Sequence, residues 1–233
     1  MTWASFDEFQ QEITQTIDGC QKVLFISRGK EFQEEVIIQL ESLLNKIQTA
    51  KTQAIENKAE QWANLLLQHE CITQAYLEFA RMWVEIKNDE MDKAWDSLIN
   101  AQMAMRCAIL VRDDHQLHRF NERLHLIESV MFPSPMFVSA GYTTEKIECS
   151  ICGQEYGECG HIKGRVYLGQ ICACIVRKCT FNEVSLVADP ADKHCRTLSF
   201  GERGRMRNFM TWRPVDDDTG EENVPPTTPQ VEV

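Results

Sequence analysis

The sequence CSICGQEYGECGH, residues 149–161, places four candidate metal ligands within thirteen positions. In a Cys-x2-Cys pair a tight turn aims both sulfurs at one point, and the glycine that follows, Gly153, supplies the conformational freedom that such a turn needs. Cys159 and His161 are two positions apart, so an extended backbone points both side chains to the same side. We therefore predict a metal site formed by Cys149, Cys152, Cys159 and His161.

The ion that this ligand set favours is zinc, because thiolate and imidazole suit zinc and its structural sites hold four protein ligands. Cys172 offers a fifth thiol and is the alternate ligand, able to replace Cys159 or His161. Four close ligands with a spare nearby favour a structural Zn2+ over a catalytic ion, which keeps one position open for water. Two weaker interpretations are unliganded reduced cysteines and a redox pair of Cys149 and Cys152.

Upstream of this stretch, residues 1–132 carry the periodicity of helices. The region contains a heptad seam, in which apolar residues recur with the period that keeps one stripe facing a partner helix. Its residues are Val36, Leu40, Leu43, Ile47, Ala50 and Ala54. No proline interrupts the region, and Pro133 and Pro135 end it. The sequence therefore predicts a mainly α fold with an N-terminal antiparallel bundle or coiled-coil-like domain. Its apolar stripes either fill a core or extend as an arm for self-association.

Two helix boundaries in this region are indicated by local sequence. Asp18-Gly19 is a candidate end for the first helix, because glycine relieves the strain of a left-handed C-terminal residue. Asp89 follows a turn-like Lys-Asn pair and is a candidate N-cap for a later helix. Asp113 and Asp114 predict a further interruption before a last helix.

The pattern changes after the prolines. Residues 136–200 predict a small zinc-stabilised α+β module with short strands, at Phe137–Tyr142 and Glu183–Val187. Residues 201–213 predict a basic-aromatic linker. Residues 214–233 hold six acidic side chains, no basic one and several prolines, which is the composition of a disordered acidic tail.

Bulk composition restricts the compartment and the class of partner. Hydrophobic residues make up 43% of the chain and charged residues 25%, as in soluble globular proteins. No apolar run approaches the roughly 20 residues that span a bilayer, and the polar start is not a secretory signal. Ten cysteines in such a chain indicate a reducing compartment, so we expect a cytoplasmic protein without membrane contact. The net charge of -11 argues against broad binding to nucleic-acid phosphates.

The cysteine stretch also carries a resemblance. Together with Gly164, Tyr167, Gly169 and Cys172, it resembles a zinc-binding segment of uncharacterised bacterial and phage proteins. The later run Glu183-Val-Ser-Leu-Val-Ala-Asp-Pro-Ala-Asp192 is similar to the late strand of phage prohead maturation proteases. Those proteases place their catalytic histidine and serine on strands ahead of this motif, where the present chain is helical. The resemblance, limited to less than a quarter of the chain, therefore implies a local strand and a bacterial or phage context, and no catalytic residue.

Two further groups of residues are candidate sites. One helix face carries His115, His118, Glu122 and His125, and includes the Glu-x-x-His pattern of di-iron bundles. The sequence has no second copy of that pattern, which favours a solvated polar face. Residues 201–213 combine arginines with Phe209 and Trp212, a mixture that can hold single-stranded nucleic acid by charge and stacking. A linker whose aromatics pack on the body is the preferred interpretation.

These patterns predict a non-catalytic zinc-binding scaffold, adaptor or recognition subunit of a bacterial or phage assembly. Its partners would be proteins, including a second copy bound through the helical domain. One alternative is a metal-dependent hydrolase or nuclease that uses the ion of the module. The other is a nucleic-acid-binding protein that acts through residues 201–213. No phosphate-binding loop, nucleophile elbow or His-Glu-x-x-His motif occurs in the sequence.

Overall fold

The computed structural model of the chain describes residues 3–202 and 204–215. The predicted disordered tail, residues 214–233, therefore lies almost entirely outside the described residues. Arg203 of the predicted linker also lies outside them.

Five helices form the N-terminal part of the molecule. They are α1 (Trp3–Gln21), α2 (Lys30–Glu56), α3 (Glu60–Lys87), α4 (Met91–Val111) and α5 (His115–Met131). Connections of three residues join α2 to α3, α3 to α4 and α4 to α5, and such short connections make consecutive helices antiparallel neighbours. The long α3 lies between α2 and α4 and packs against both.

The heptad seam is buried inside the chain. Its six residues, from Val36 to Ala54, are at most 8% exposed, and they belong to one core with the fully buried Phe79, Trp95 and Leu124. The stripe therefore packs on the chain's own helices in a bundle. The prediction of a mainly α fold with a small α+β module is confirmed.

The helix boundaries show where local sequence was and was not informative. The first helix continues past Asp18-Gly19 and ends at Gln21. The prediction of Asp89 as an N-cap was wrong: Asp89 is in the left-handed region at φ 64°, and Glu90 precedes the helix without a side-chain cap. Asp114 does cap α5, because its carboxylate accepts a hydrogen bond from the backbone N–H of Gln116 at 2.7 Å.

A long two-stranded ribbon follows the bundle. Strand β1 (Phe137–Cys149) pairs antiparallel with β4 (Cys174–Val187) over almost their full lengths. Both predicted strands are present, but they are 13 and 14 residues long rather than short. Pairing with each other extends them, since each strand supplies the backbone hydrogen bonds that the other needs.

Two small hairpins complete the fold. Strands β2 (Val166–Tyr167) and β3 (Gln170–Ile171) form one, and β5 (Ser199–Glu202) and β6 (Arg205–Asn208) form the other. The second hairpin occupies much of the segment predicted as a linker. The following Met210 is 6% exposed and joins the core of the bundle.

The ribbon is attached to the bundle at its β1 start. Phe137 is buried with its ring 6.2 Å from that of Trp95, and the Trp95 indole donates to the carbonyl of Lys193 at 3.1 Å. Arg196, whose side chain is 1% exposed, lies 2.8 Å from Asp92 of α4. Within the described residues, no helix has the length and apolar character required to cross a bilayer.

Candidate metal centre

The four predicted ligands lie together at the far end of the ribbon. The ligand atoms of Cys149, Cys152, Cys159 and His161 all lie within 4.8 Å of one another. Thiolates about 2.3 Å from one tetrahedral zinc ion lie roughly 3.8 Å apart, so this spread suits a single ion. The cluster can hold a metal ion, and it is the one such group of Cys, His, Asp or Glu within residues 3–202 and 204–215.

The end of strand β1 positions the first two cysteines. Cys149 is the last residue of β1, and its backbone N–H donates to the carbonyl of Gln154 at 2.8 Å. The chain reverses through Gly153, which has a left-handed φ of 70° and whose N–H donates to the carbonyl of Cys149 at 2.9 Å. The tight turn after a Cys-x2-Cys pair is therefore present, with glycine at the position that requires it.

Backbone N–H groups inside this turn stabilise a thiolate. The N–H of Ile151 donates to the Cys149 sulfur at 3.4 Å. Burial acts to raise the pKa of Cys149, but hydrogen bonds from the N–H groups of Cys152 and Ile151 outweigh it and lower this pKa to about 6. A metal requires the deprotonated sulfur, so the turn prepares Cys149 as a ligand.

Two tyrosines hold the segment that carries the histidine. The hydroxyl of Tyr167 accepts from the backbone N–H of Ile162, and that of Tyr156 accepts from the N–H of Lys163, both at 3.0 Å. The Tyr167 ring also meets the His161 imidazole edge-on, with centroids 4.7 Å apart. The Nδ1 atom of His161 is buried and has no hydrogen-bond partner among the described residues. A buried nitrogen without a partner is costly, and coordination would satisfy it.

The alternate ligand Cys172 contacts the cluster through one of its members. Its sulfur lies 3.8 Å from that of Cys149, but the compact group comprises the four first-choice residues. Burial, followed by hydrogen bonding to Cys149, raises the pKa of Cys172 to about 11. This shift favours the protonated form of Cys172 beside Cys149, and either sulfur can donate an S–H bond to the other.

The hairpin β2–β3 docks the cluster on the bundle. Its two-residue turn consists of Leu168 and Gly169, both at positive φ, as in type I′ turns. The N–H of Gly169 donates to the Asn64 side chain at 2.7 Å. A Cβ at Gly169 would lie 3.2 Å from both the Cβ and the carbonyl oxygen of Ala63 in α3, at a φ of 74° that strains other residues. A larger residue here would therefore have to push α3 away by a few tenths of an ångström.

Among the described residues, the histidine face of α5 belongs to no group that could hold a metal ion. His118 pairs with Asp113 at 2.6 Å, and the Nδ1 atom of His125 lies 3.4 Å from Glu128. These partners explain His118 and His125 as parts of a polar surface, in agreement with the preferred interpretation of the sequence.

Two arginines of the predicted linker, Arg207 and Arg213, are engaged with acidic side chains. Arg207 lies 2.7 Å from Glu202 across the β5–β6 hairpin, and Arg213 pairs with Asp89 at the start of α4. The aromatic residues pack together, with the Phe200 ring 5.9 Å from Phe209 and 5.0 Å from Trp212. This arrangement favours a structural role for the segment over a surface for nucleic acid.

Sequence reasoning missed the residues that support the cluster from outside. The N–H of Ser150 donates to the carbonyl of Ala173, and the Ser150 hydroxyl accepts from the N–H of Ala173 at 2.8 Å. This reciprocal pair joins the cysteine turn to the start of β4. No spacing signal identifies it, because a serine and an alanine 23 positions apart are unremarkable in sequence.

Comparison with known proteins finds no relative of the chain. No protein-family model, curated protein or solved structure matches the chain. The similarity to phage prohead maturation proteases is therefore unconfirmed, and the bacterial or phage context stays a prediction.

Proposed function

We propose that this chain is a non-catalytic scaffold or adaptor subunit, in which a structural zinc ion fixes one end of a protein-binding ribbon. Three thiolates and one imidazole form the donor set of structural zinc sites. Hydrolytic zinc instead keeps a position open for water, whereas here four ligand atoms already lie within 4.8 Å of one another.

The apolar face of the ribbon is the observation that carries this proposal. Alternate side chains of a strand share a face, so Val138, Ala140 and Tyr142 lie together. Their cross-strand partners are Leu186, Val184 and Phe181. We call these six residues the ribbon face.

A bulge keeps the ribbon face continuous. The register shifts between Gly141 and Tyr142, so that Tyr142 lies opposite Phe181. Without the shift, Tyr142 would lie opposite Asn182. The bulge therefore adds an aromatic pair to the two apolar pairs beside it.

The ribbon face is open to solvent. Tyr142, Phe181, Val184 and Leu186 are 52%, 62%, 61% and 68% exposed. An isolated two-stranded ribbon is marginal in water, and contiguous exposed apolar surface is typical of an interaction site. The metal centre at one end and the bundle at the other hold this ribbon ready for a partner.

The partner we propose for the ribbon face is a second copy of the chain. The face carries no charge, so a two-fold pair can cover both copies with the same residues. Its four large side chains expose at most about 500 Å² per chain, taking roughly 150–250 Å² for each whole aromatic side chain and less for Val184 and Leu186. A symmetric pair would bury on the order of 1,000 Å², which is the lower limit for a specific interface and fits a weak, reversible dimer.

Metal analysis and sedimentation test the proposal together. We expect one zinc per chain by elemental mass spectrometry, and a reversible dimer by sedimentation velocity. The double substitution Phe181→Ser/Leu186→Ser should give monomers. The matched control Ile38→Ser/Val130→Ser removes equally exposed apolar groups from the bundle and should leave the dimer intact.

Three results would contradict the proposal. A wild-type chain that stays monomeric at high concentration would remove the proposed partner. Equal dimerisation of both double variants would place the interface elsewhere. A turnover abolished by one polar substitution, with folding retained, would show that the chain is an enzyme.

A further inference from the structure

A second site of a different chemical kind lies in the helical bundle. A cleft of about 570 Å³ opens where α1, α3 and α5 meet, and this volume is in the range of small-molecule sites, roughly 300–1,000 Å³. Its floor is apolar and includes Ile13, Ile17 and Phe120, all at most 8% exposed. The cleft shares no residue with the metal centre or the ribbon face.

Two arginines one helical turn apart line the cleft. Arg119 and Arg123 project from α5 at the spacing that puts side chains on one face. Neither makes an ion pair within 4.0 Å in the part of the chain that the structure describes. Asp18 is the acidic residue among the lining side chains, so the cleft carries net positive charge on a molecule of net charge -11.

Arg123 is held in place by uncharged groups, with no counter-ion among the described residues. One of its N–H groups donates to the carbonyl of Leu24 at 3.1 Å. Its guanidinium carbon lies 4.7 Å from the ring centroid of Phe25 and 5.4 Å from that of Phe79. Burial lowers the pKa of Arg123, which reports the cost of holding this charge partly away from water. An anion in the cleft would offset that cost, because a guanidinium has five N–H donors.

His69 contributes a polar atom with no partner. Its Nε2 atom is buried and has no hydrogen bond among the described residues, and the residue lines the cleft. Burial, and then the charge of Arg112, lower the pKa of His69 to about 4. The ring is therefore neutral at physiological pH, so the positive charge of the cleft comes from Arg119 and Arg123.

We propose that this cleft binds a small amphipathic anion, with an apolar body against the isoleucines and Phe120 and an acidic head group between Arg119 and Arg123. The head group is a carboxylate, sulfonate or phosphate, since a guanidinium pairs with each of these.

A pair of fluorescent probes that differ by one charge tests this site. The anion 1-anilinonaphthalene-8-sulfonate has the expected body and head, and N-phenyl-1-naphthylamine has the same body without the sulfonate. We expect the anion to bind the native protein with one site, and Arg119→Gln/Arg123→Gln to raise its Kd about tenfold or more, since a hydrogen bond to a charged group contributes roughly 1.5–3 kcal/mol. The neutral probe should bind both proteins equally weakly.

Three control variants separate the cleft from the rest of the surface. Arg119→Gln alone changes an exposed side chain, so it should weaken binding without loss of folding, as checked by near-ultraviolet circular dichroism. Arg106→Gln, on the exposed surface of α4, removes the same charge outside the cleft and should change nothing. Phe181→Ser should also change nothing, which distinguishes the cleft from dye bound at the ribbon face.

Competition identifies the head group. Displacement of the dye by dodecanoate assigns a carboxylate ligand, and displacement by dodecyl phosphate assigns a phosphate ligand. Equal binding of the anionic dye to wild type and Arg119→Gln/Arg123→Gln would overturn the proposal. Equal affinity of wild type for the charged and neutral probes would overturn it as well.

Discussion

Removal of the metal is expected to unfold residues 150–173 and leave the helical bundle folded. Gly169 and Cys172 are the buried residues of this segment, so it has almost no apolar core of its own. Ordering a chain costs about 1–2 kcal/mol per residue. Structural zinc contributes about 10–16 kcal/mol in small zinc-folded peptides, as much as the whole stability of a typical domain, about 5–15 kcal/mol.

Hydrogen exchange measured by mass spectrometry, with and without a strong chelator, is the assay for this prediction. Backbone N–H groups of residues 150–173 should lose at least about 4 kcal/mol of protection, or roughly a thousandfold in exchange rate. Peptides from α3, which holds Phe79 and the fully buried Met82, should keep theirs. Cys152→Ser should reproduce the chelated pattern, and Cys179→Ser, at an exposed cysteine of β4, should behave as wild type.

One outcome would refute this reasoning directly. If elemental analysis shows that the metal has gone and residues 150–173 are still protected as before, their own contacts hold the segment. The tyrosine hydroxyl bonds and the pairing of Ser150 with Ala173 would then be sufficient, and the ion would not be structural.

Three further changes test the supports of the ribbon. Gly169→Ala should lower the free energy of unfolding by at least about 1 kcal/mol in urea titrations, because the alanine meets α3 at an unfavourable φ, whereas Gly160→Ala has open space and should change it little. The Cys172→Ser variant should still bind one metal ion per chain, with an affinity about 10–100-fold lower in chelator competition. The Cys159→Ser variant should not retain the metal ion. Arg196→Ala should lower the free energy of unfolding by about 2–3 kcal/mol, because the packing of a buried side chain is lost. Arg196→Met should recover most of this stability, because it keeps the packing and removes two guanidinium nitrogens that are buried without hydrogen-bond partners among the described residues.

The helical half could be read from sequence because its signal is repetitive. Each apolar residue of the seam between Val36 and Ala54 lies on the same face of the helix. Burial of that face stabilises the helix wherever its ends lie. The ends are set by single residues, and there the predictions failed at Asp18 and Asp89. A lone aspartate is compatible with a cap, a turn or an ion pair, and Asp89 forms the last of these with Arg213.

The metal cluster could be predicted because its ligands are close in sequence and chemically distinctive. The contacts that hold the cluster and the ribbon in place could not be predicted, because they join residues that are far apart in the chain. Asn64 binds Gly169 across 105 positions, and Trp95 binds the carbonyl of Lys193 across 98. Neither contact leaves a periodic or compositional trace, and each depends on where the bundle and the ribbon come to lie.

The ribbon depends both on features that the sequence predicts and on long-range contacts that it does not predict. Its strands are predicted separately, near residues 137 and 187, and nothing in either predicts that they pair over their whole length. Pairing follows once the cluster brings Cys149 next to Cys174 and the bundle brings Phe137 next to Val187. Closing both ends limits the register, and three local shifts adjust it between them. That register is what puts Tyr142 opposite Phe181 on the exposed apolar face. In the proposed dimer, a metal site that makes no contact with the partner would therefore control its binding, through the alignment of the strands it holds.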